Sequence, residues 1–224
     1  MNVLALDTST ELGSVAVLGE GELRSEISAR VRARHGETLL PLIEEPLRLA
    51  RMERGAISLL AVGLGPGSFT GTRVGVATAK GLAVALGAPM VGVVSLRAMA
   101  RGAPGRLIVS AADAHKGEVY AALYARPAAG LEERVAPFHA PPEEALTRLG
   151  ALEPDAVACG SALRRYPDRF AAPLPAAALD PAFDAPRGAL IALEGLARFG
   201  RHGGDDASAL EPLYVRPSDA ELPS

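Results

Sequence analysis

The sequence has a single cysteine, Cys159, in 224 residues. One thiol excludes an intramolecular disulfide and a cysteine-rich zinc cluster. Such a low cysteine content is typical of proteins from a reducing compartment. Long hydrophobic runs are also missing, because the uncharged stretch 81–96 is interrupted by glycine and proline, and Asp7 comes too early for a signal-type apolar region. We therefore expect a cytoplasmic protein with no export signal and no membrane span.

Positive charge is not in excess either: 23 basic residues face 26 acidic ones, for a formal net charge of −3. Such a chain has no global attraction to phosphate backbones, so contact with nucleic acid requires a local patch or a partner. Arg30, Arg32 and Arg34 alternate along one predicted strand. This stripe either contacts RNA phosphates or is the solvated face of an edge strand.

What the chain does have is apolar material, 49% of its residues, which is sufficient for a buried core. Its length suits one large domain or two small ones. Hydrophobic patterning predicts strands at 3–6, 13–18, 23–33, 59–64 and 91–94, and helices at 38–52 (with Thr38 as the N-cap), from 71 to about 87, and at 95–101. The predicted order is βββαβαβα, a mixed α/β unit.

The opening pattern occurs twice. The first copy consists of a strand, Asp7, a turn, Gly13 and a second strand. About a hundred residues later the same order returns as a strand, Asp113, a turn, Gly117 and another strand. Two copies of one plan indicate a duplicated domain. We expect an N-terminal subdomain at 1–103 and a second, degenerate one at 104–224.

A glycine-rich loop at 65–71 precedes the second helix. Backbone N–H groups at a helix N-terminus are able to bind an anion, although this loop matches neither the Walker nor the dinucleotide template. Asp7 ends a central strand, where phosphate-binding folds hold nucleotides, but the sequence favours the alternative that Asp7 hydrogen-bonds its own turn. The candidate anion or nucleotide contacts are Asp7, Ser9, Thr10, Gly67, Ser68 and Thr70.

Catalytic and metal-binding motifs are not apparent. The four histidines never stand at i, i+4, and there is no HExxH motif. The surroundings of Ser68 are not a GxSxG elbow, which argues against a serine hydrolase. We expect no metal site and no catalytic residue.

Two helices carry more apolar positions than one buried face requires. Leucines at 39, 40, 42, 47 and 49 surround the first, and Gly71, Gly75, Ala79 and Ala83 form a small-residue ridge on the second. These surfaces pack within the chain or against a partner. If the ridge is an interface, Gly75→Arg gives a folded chain that no longer self-associates.

Several segments together resemble one family along nearly the whole chain. They are LALDTST at 4–10, RHGETLLP at 34–41, GPGSFTGTRVG at 65–75, DAHKGEVY at 113–120 and LYVRP at 213–217. They are similar to the TsaB (YeaZ) family, the non-catalytic dimerising subunit of the bacterial complex that attaches threonylcarbamoyl to the adenosine beside the tRNA anticodon. The resemblance implies a duplicated actin-like ATPase fold.

The same resemblance implies partners: the catalytic subunit TsaD, the ATPase TsaE, a second copy when alone, and tRNA only through the complex. ATP and a metal ion are expected on TsaD and no cofactor on this chain, where His35 lacks a second histidine at i+4. The implied interface residues are His35, Leu39, Leu42, Ile43, Gly71, Arg73, Gly75 and Ala79.

In one place the chain departs from this family. His115 stands where the family has arginine, with Lys116 beside it; these two are the expected support for the partner's site. The alternative function is an actin-like small-molecule phosphotransferase using Asp7, Thr10 and the glycine loop.

Overall fold

The computed structural model describes residues 1–31, 35–128, 130–150, 156–170, 176–177 and 181–216. The chain forms two compact units. The first comprises Met1–Ala98 and Pro186–Leu213, and the second comprises Met99–Ala185 and Tyr214–Ser224. The predicted boundary near residue 103 is close to the first crossing between units, but assigning all of 104–224 to the second subdomain was wrong.

The first unit is built on a five-stranded sheet in the order β3-β2-β1-β4-β5. β1 is antiparallel to β2 and parallel to β4. Its elements are β1 (Asn2–Asp7), β2 (Leu12–Gly19), β3 (Glu22–Arg30), α1 (His35–Leu49), β4 (Leu59–Gly63), α2 (Phe69–Leu86), β5 (Met90–Val93) and the start of α3 (Ser95–Gly102), followed much later by α7 (Gly188–His202).

The second unit repeats this plan with the strand order β10-β9-β6-β7-β8. Its elements are β6 (Leu107–His115), β7 (Glu118–Ala125), β8 (Glu132–Ala140), α4 (Pro142–Leu149), β9 (Val157–Cys159), α5 (Ser161–Arg165), α6 (Pro167–Phe170) and β10 (Ala176–Ala177). Because β6, β7, β8, β9 and β10 occupy the places of the first five strands, the predicted duplication of a βββαβαβα unit is confirmed.

The unbroken apolar run of β1 follows from burial on both faces of the sheet. Leu4 and Leu6 pack into the cluster beneath α1 and α2, whereas Val3 and Ala5 pack into the cluster beneath α7. Successive side chains of a strand point to opposite faces, so one strand supplies two cores.

The packing of helix α7 explains why residues 186–213 belong to the first unit. Gly195 lies so close to the sheet that a Cβ there would be 2.6 Å from the Cβ of Ala61. The helix N-terminus is held by β2 and β3, because Ser14 Oγ accepts from the N–H of Gly188 at 2.8 Å and Glu26 Oε1 from that of Ala189 at 3.0 Å. The sequence prediction assigned this segment to the second subdomain by its position in the chain, whereas the strands against which it packs lie far away in sequence.

Two local predictions also differ from the structure. Helix α1 begins at His35, so Thr38 lies within the helix and is not its N-cap. Strand β3 ends at Arg30, which pairs with Glu11 at 3.1 Å, and the rest of the basic stripe, Arg32 and Arg34, falls outside the described residues. Across the described segments, no helix is both long and apolar enough to cross a membrane.

Candidate functional site: the Asp7 turn, the glycine loop and the outer helix face

Asp7 is fully buried at the end of β1. Its Oδ1 accepts from the backbone N–H of Ser9 at 2.8 Å and from the Ser9 hydroxyl at 2.6 Å, and its Oδ2 accepts from the Ser95 hydroxyl at 2.6 Å. A Cβ on Gly63 would lie 1.8 Å from that Oδ2, so only glycine leaves room for the carboxyl. Both oxygens therefore serve the chain's own turns.

The pKa of Asp7 is raised above its ordinary value of 3.8. Burial is the largest cause, because removing the carboxylate from water penalises the charged form. The hydrogen bonds from Ser9 and Ser95 oppose this effect by stabilising the anion. Such a buried carboxyl is not presented to a phosphate or a metal ion in solvent.

The glycine loop is joined directly to the β1–β2 turn. The N–H of Ser68 donates to the carbonyl of Ser9 at 2.7 Å, and the Thr8 hydroxyl donates to the carbonyl of Gly71 at 2.7 Å. A Cβ on Gly67 would lie 2.1 Å from that Ser9 carbonyl oxygen. The glycine allows one backbone to approach another backbone rather than a ligand.

The first turn of α2 uses its donors internally. Ser68 is the N-cap, and its hydroxyl accepts from the N–H of Gly71 at 3.2 Å while its carbonyl accepts from that of Thr72 at 2.9 Å. Thr10 closes its own turn through Leu12, and Thr70 is solvent-exposed. All of the six predicted anion contacts except Thr70 thus help to stabilise the β1–β2 turn and the glycine loop. This favours the alternative that the residues hydrogen-bond their own turns over the alternative that they bind an anion.

Much of the predicted interface is buried inside the first unit. Leu39 and Ile43 are each 2% exposed and belong to the core beneath α1 and α2. A Cβ on Gly71 would meet the Thr8 carbonyl oxygen at 2.2 Å, one on Gly75 would meet the Thr8 hydroxyl at 2.2 Å, and Ala79 is fully buried. Within the first unit these five residues are already covered by their own chain, so the exposed side chains that α1 and α2 offer to a partner are different ones.

The same packing makes Gly75→Arg a poor test of an interface. The Thr8 hydroxyl fills the position that a side chain would take, so an arginine there disrupts the first unit before it can test an interface. Of the other predicted residues, Leu42 is half-buried and Arg73 is exposed with its guanidinium carbon 3.7 Å from the centre of the Phe69 ring. The side chain of His35 lies outside the described part of the chain.

A different set of residues forms the outward surface of the helices. Val84 is 81% exposed on α2, Leu40 is 57% exposed on α1 and Phe69 is 39% exposed. We call the outer face the exposed positions Leu40, Phe69, Arg73, Ala77, Gly81 and Val84. Of these positions, only Arg73 was among the predicted interface residues, although the spacing 69, 73, 77, 81 is an i, i+4 series that places residues on one side of a helix.

The β6–β7 hairpin repeats the Asp7 turn in the second unit. Asp113 Oδ1 accepts from the N–H of His115 at 3.0 Å, as Asp7 Oδ1 accepts from Ser9. The structure differs in exposure, because His115 is 77% exposed and the Asp113 side chain is 20% exposed. His115 and Lys116 therefore lie together at an accessible hairpin tip.

Ligand sets for a metal are not formed by the described residues, among which no group of three or more histidine, cysteine, aspartate or glutamate side chains converges. Cys159 is buried beside Ser110, and burial raises the pKa of its thiol to about 11. A thiol with this pKa stays protonated at neutral pH and is a poor nucleophile.

Comparison with known proteins identifies the family. The family model described as TsaD, tRNA N6-adenosine threonylcarbamoyltransferase, matches residues 26–198. The Escherichia coli tRNA threonylcarbamoyladenosine biosynthesis protein TsaB is 37% identical over 175 residues, 75% of this chain and 74% of that protein.

Solved structures agree with this assignment. A Pseudomonas aeruginosa protein described as similar to peptidase YEAZ has a TM-score of 0.82 at 30% identity, covering 96% of this chain and 99% of that one. The activator of 2-hydroxyisocaproyl-CoA dehydratase from Clostridium difficile, at 12% identity and a TM-score of 0.53 over 92% of this chain and 99% of that one, shares the fold alone. The chain is a member of the TsaB (YeaZ) family, with the duplicated actin-like ATPase fold that the repeated strand order displays.

Proposed function

We propose that this chain is a non-catalytic scaffold subunit in the biosynthesis of threonylcarbamoyladenosine in tRNA, and that it acts by binding a TsaD-type catalytic subunit through the outer face. The pathway assignment is supported by the relatives named TsaB. The observation that carries the scaffold role is the contrast between a closed Asp7 turn and an open, apolar outer face.

The Asp7 turn supports a non-catalytic role. In an actin-like phosphotransferase the carboxyl at the end of the first strand must reach the phosphates, but Asp7 is buried and bonded to Ser9 and Ser95. The N–H groups of Ser68 and Gly71, which would bind a phosphate, donate to Ser9 and Ser68. We place ATP and any metal ion on the catalytic partner, and no cofactor on this chain.

The outer face supports the binding role. Val84 and Leu40 are large apolar side chains held in water by two helices, and monomeric proteins seldom expose continuous apolar surface without using it. Ala77 and Gly81 are further exposed positions on α2, and no atom of the chain lies within 4 Å of the position of a Gly81 Cβ. Small residues on an exposed helix allow a second helix to approach closely.

The proposed partners follow from this face. A second copy covers it in the isolated protein, as a weak homodimer, and TsaD replaces that copy in the working complex. Because both subunits share one fold, similar helices meet in either pairing. TsaE joins the complex, and tRNA is bound through the complex rather than by this chain alone, whose net charge is negative.

Reconstitution of tRNA modification tests the proposal. Purified TsaD and the other subunits are assayed with and without this chain, and threonylcarbamoyladenosine is measured in digested tRNA. Val84→Glu introduces a charge at an 81% exposed apolar position of the outer face, and we expect binding to TsaD at least about tenfold weaker with a matching loss of modification. Leu23→Glu is the matched control, since Leu23 is 52% exposed on β3, outside the outer face.

Two results contradict the proposal. Equal activity of Val84→Glu and Leu23→Glu places the interface elsewhere. ATP-dependent phosphorylation of a small molecule by the isolated chain, abolished by Asp7→Ala, establishes the phosphotransferase alternative instead.

A further inference from the structure

The β6–β7 hairpin contains a β-bulge whose free carbonyl is taken by a residue from the end of the chain. Asp113 pairs with Val119 and His115 pairs with Glu118, so Ala114 is skipped in the register. Arg216 Nη1 donates to the Ala114 carbonyl at 3.1 Å. The guanidinium thus supplies the hydrogen bond that the ladder does not.

The same guanidinium lies in a partly buried charged cluster. Arg216 Nη1 is 3.3 Å from Glu118 Oε2, and His139 Nδ1 is also 3.3 Å from that oxygen. The Arg216 side chain is only 16% exposed. We call Arg216, Glu118 and His139 the Arg216 cluster; it ties β7, β8 and the segment after Leu213 to the base of the hairpin.

The hairpin tip has an unusual backbone. His115, Lys116 and Gly117 have φ values of 60°, 50° and 83°, three consecutive left-handed residues of which two are not glycine. Asp113 holds the tip from one side, since its Oδ1 accepts from His115 N–H and its own N–H donates to Ser161 Oγ at 3.0 Å. Such conformations persist where surrounding contacts fix them, and they are concentrated at functional sites.

We propose that Arg216 is a positioning residue: through the Ala114 carbonyl and Glu118 it fixes the hairpin so that His115 and Lys116 meet the catalytic subunit in one orientation. This inference rests on the proposed function. It explains why an exposed basic tip is held by contacts from three distant parts of the second unit. It assigns Arg216 no contact with the reacting groups.

Arg216→Met removes the guanidinium and keeps an apolar stem, whereas Arg216→Lys keeps the charge. Arg134→Met is the control, because Arg134 is 58% exposed on β8 and pairs only at the surface with Glu132. Hydrogen exchange of the amides at 114–117 is the first measurement. We expect exchange in Arg216→Met to be faster by about tenfold, with Arg216→Lys in between and Arg134→Met unchanged.

The second measurement is kcat and the KM for tRNA in the reconstituted complex. We expect Arg216→Met to lower kcat by about tenfold, with an unchanged KM for tRNA and unchanged affinity for TsaD through the outer face. Arg216→Lys restores part of kcat. Combined with Lys116→Ala, Arg216→Met adds little further loss, because both changes remove one function.

Different failures have different meanings. If wild-type chain does not raise modification, the proposed function fails, and this inference with it. If wild type is active and Arg216→Met is equally active, or if its loss is additive with that of Lys116→Ala, only the positioning role is refuted. A change in Arg216→Met that is confined to the KM for tRNA also refutes the positioning role and makes the hairpin tip an RNA contact. If the variant loses stability and TsaD affinity together, Arg216 has only a structural role.

Discussion

Two glycines of α2 should respond in opposite directions to the same substitution. Gly75 and Gly81 both lie within the helix, but a Cβ at Gly75 would lie 2.2 Å from the Thr8 hydroxyl, whereas nothing lies within 4 Å of a Cβ at Gly81. Thr8 is 2% exposed and its hydroxyl donates to Gly71. The hydroxyl has no free space to enter, so Gly75→Ala displaces it and breaks that hydrogen bond.

The expected magnitudes follow from three contributions. Overpacking costs about 1–3 kcal/mol, and the lost hydrogen bond costs about 1 kcal/mol. Replacing a helical glycine by alanine returns about 0.5–1 kcal/mol at either position. We therefore expect Gly75→Ala to lower the free energy of unfolding by about 1–3.5 kcal/mol, and Gly81→Ala to raise it by about 0.5–1 kcal/mol.

Equilibrium unfolding in urea, followed by far-UV circular dichroism, measures both variants against wild type. Gly71→Ala is a second check, because its Cβ would meet the Thr8 carbonyl, a backbone atom that cannot rotate away. It should destabilise at least as much as Gly75→Ala. If Gly75→Ala and Gly81→Ala shift stability in the same direction by similar amounts, the assignment of the inner and outer sides of α2 is incorrect.

Two further predictions concern the first unit. Glu26→Ala removes the carboxylate that accepts from Ala189 N–H at 3.0 Å and from Arg187 at 2.7 Å. Chemical denaturation should therefore show a free energy of unfolding lower by about 2–3 kcal/mol, whereas the exposed Glu22→Ala on the same strand should lower it by less than about 0.5 kcal/mol. Equal losses in the two variants would exclude a special role for Glu26. Because the pKa of Asp7 is raised in the folded chain, the folded state holds this proton more tightly, and its contribution to stability is present below pH 3.8 and lost as pH rises through the folded pKa. Asp7→Asn should flatten that part of the stability profile, and an unchanged pH slope in the variant would show that other groups produce it.

Local patterns predicted most of the first sheet. The apolar run of β1, the turn at Glu20–Gly21 and the end of α2 at Gly87, with φ of 61°, are fixed by residues near one another in sequence. Strand β8 was missed because it is largely exposed at its start and shows no regular alternation. Patterns that are weak locally become strands only through their neighbours in the sheet.

The candidate site could be predicted only in part, for the same reason. Helical spacing correctly placed Gly71, Gly75 and Ala79 on one side of α2, but it contains no information about what covers that side. The covering residue, Thr8, is 63 positions from Gly71. Likewise Asp7 was correctly placed at a strand end, while its burial depends on Ser95, which is 88 positions away.

The two copies of the turn differ in burial, and this difference connects the fold to the proposed function. In the first copy Ser9 follows Asp7 and turns inward to bond its carboxyl, and the glycine loop closes over both. In the second copy the equivalent position is His115, which is 77% exposed beside Lys116. On the function proposed above, the closed first turn supports α2 and its outer face, and the exposed second turn offers a basic hairpin tip to the catalytic subunit.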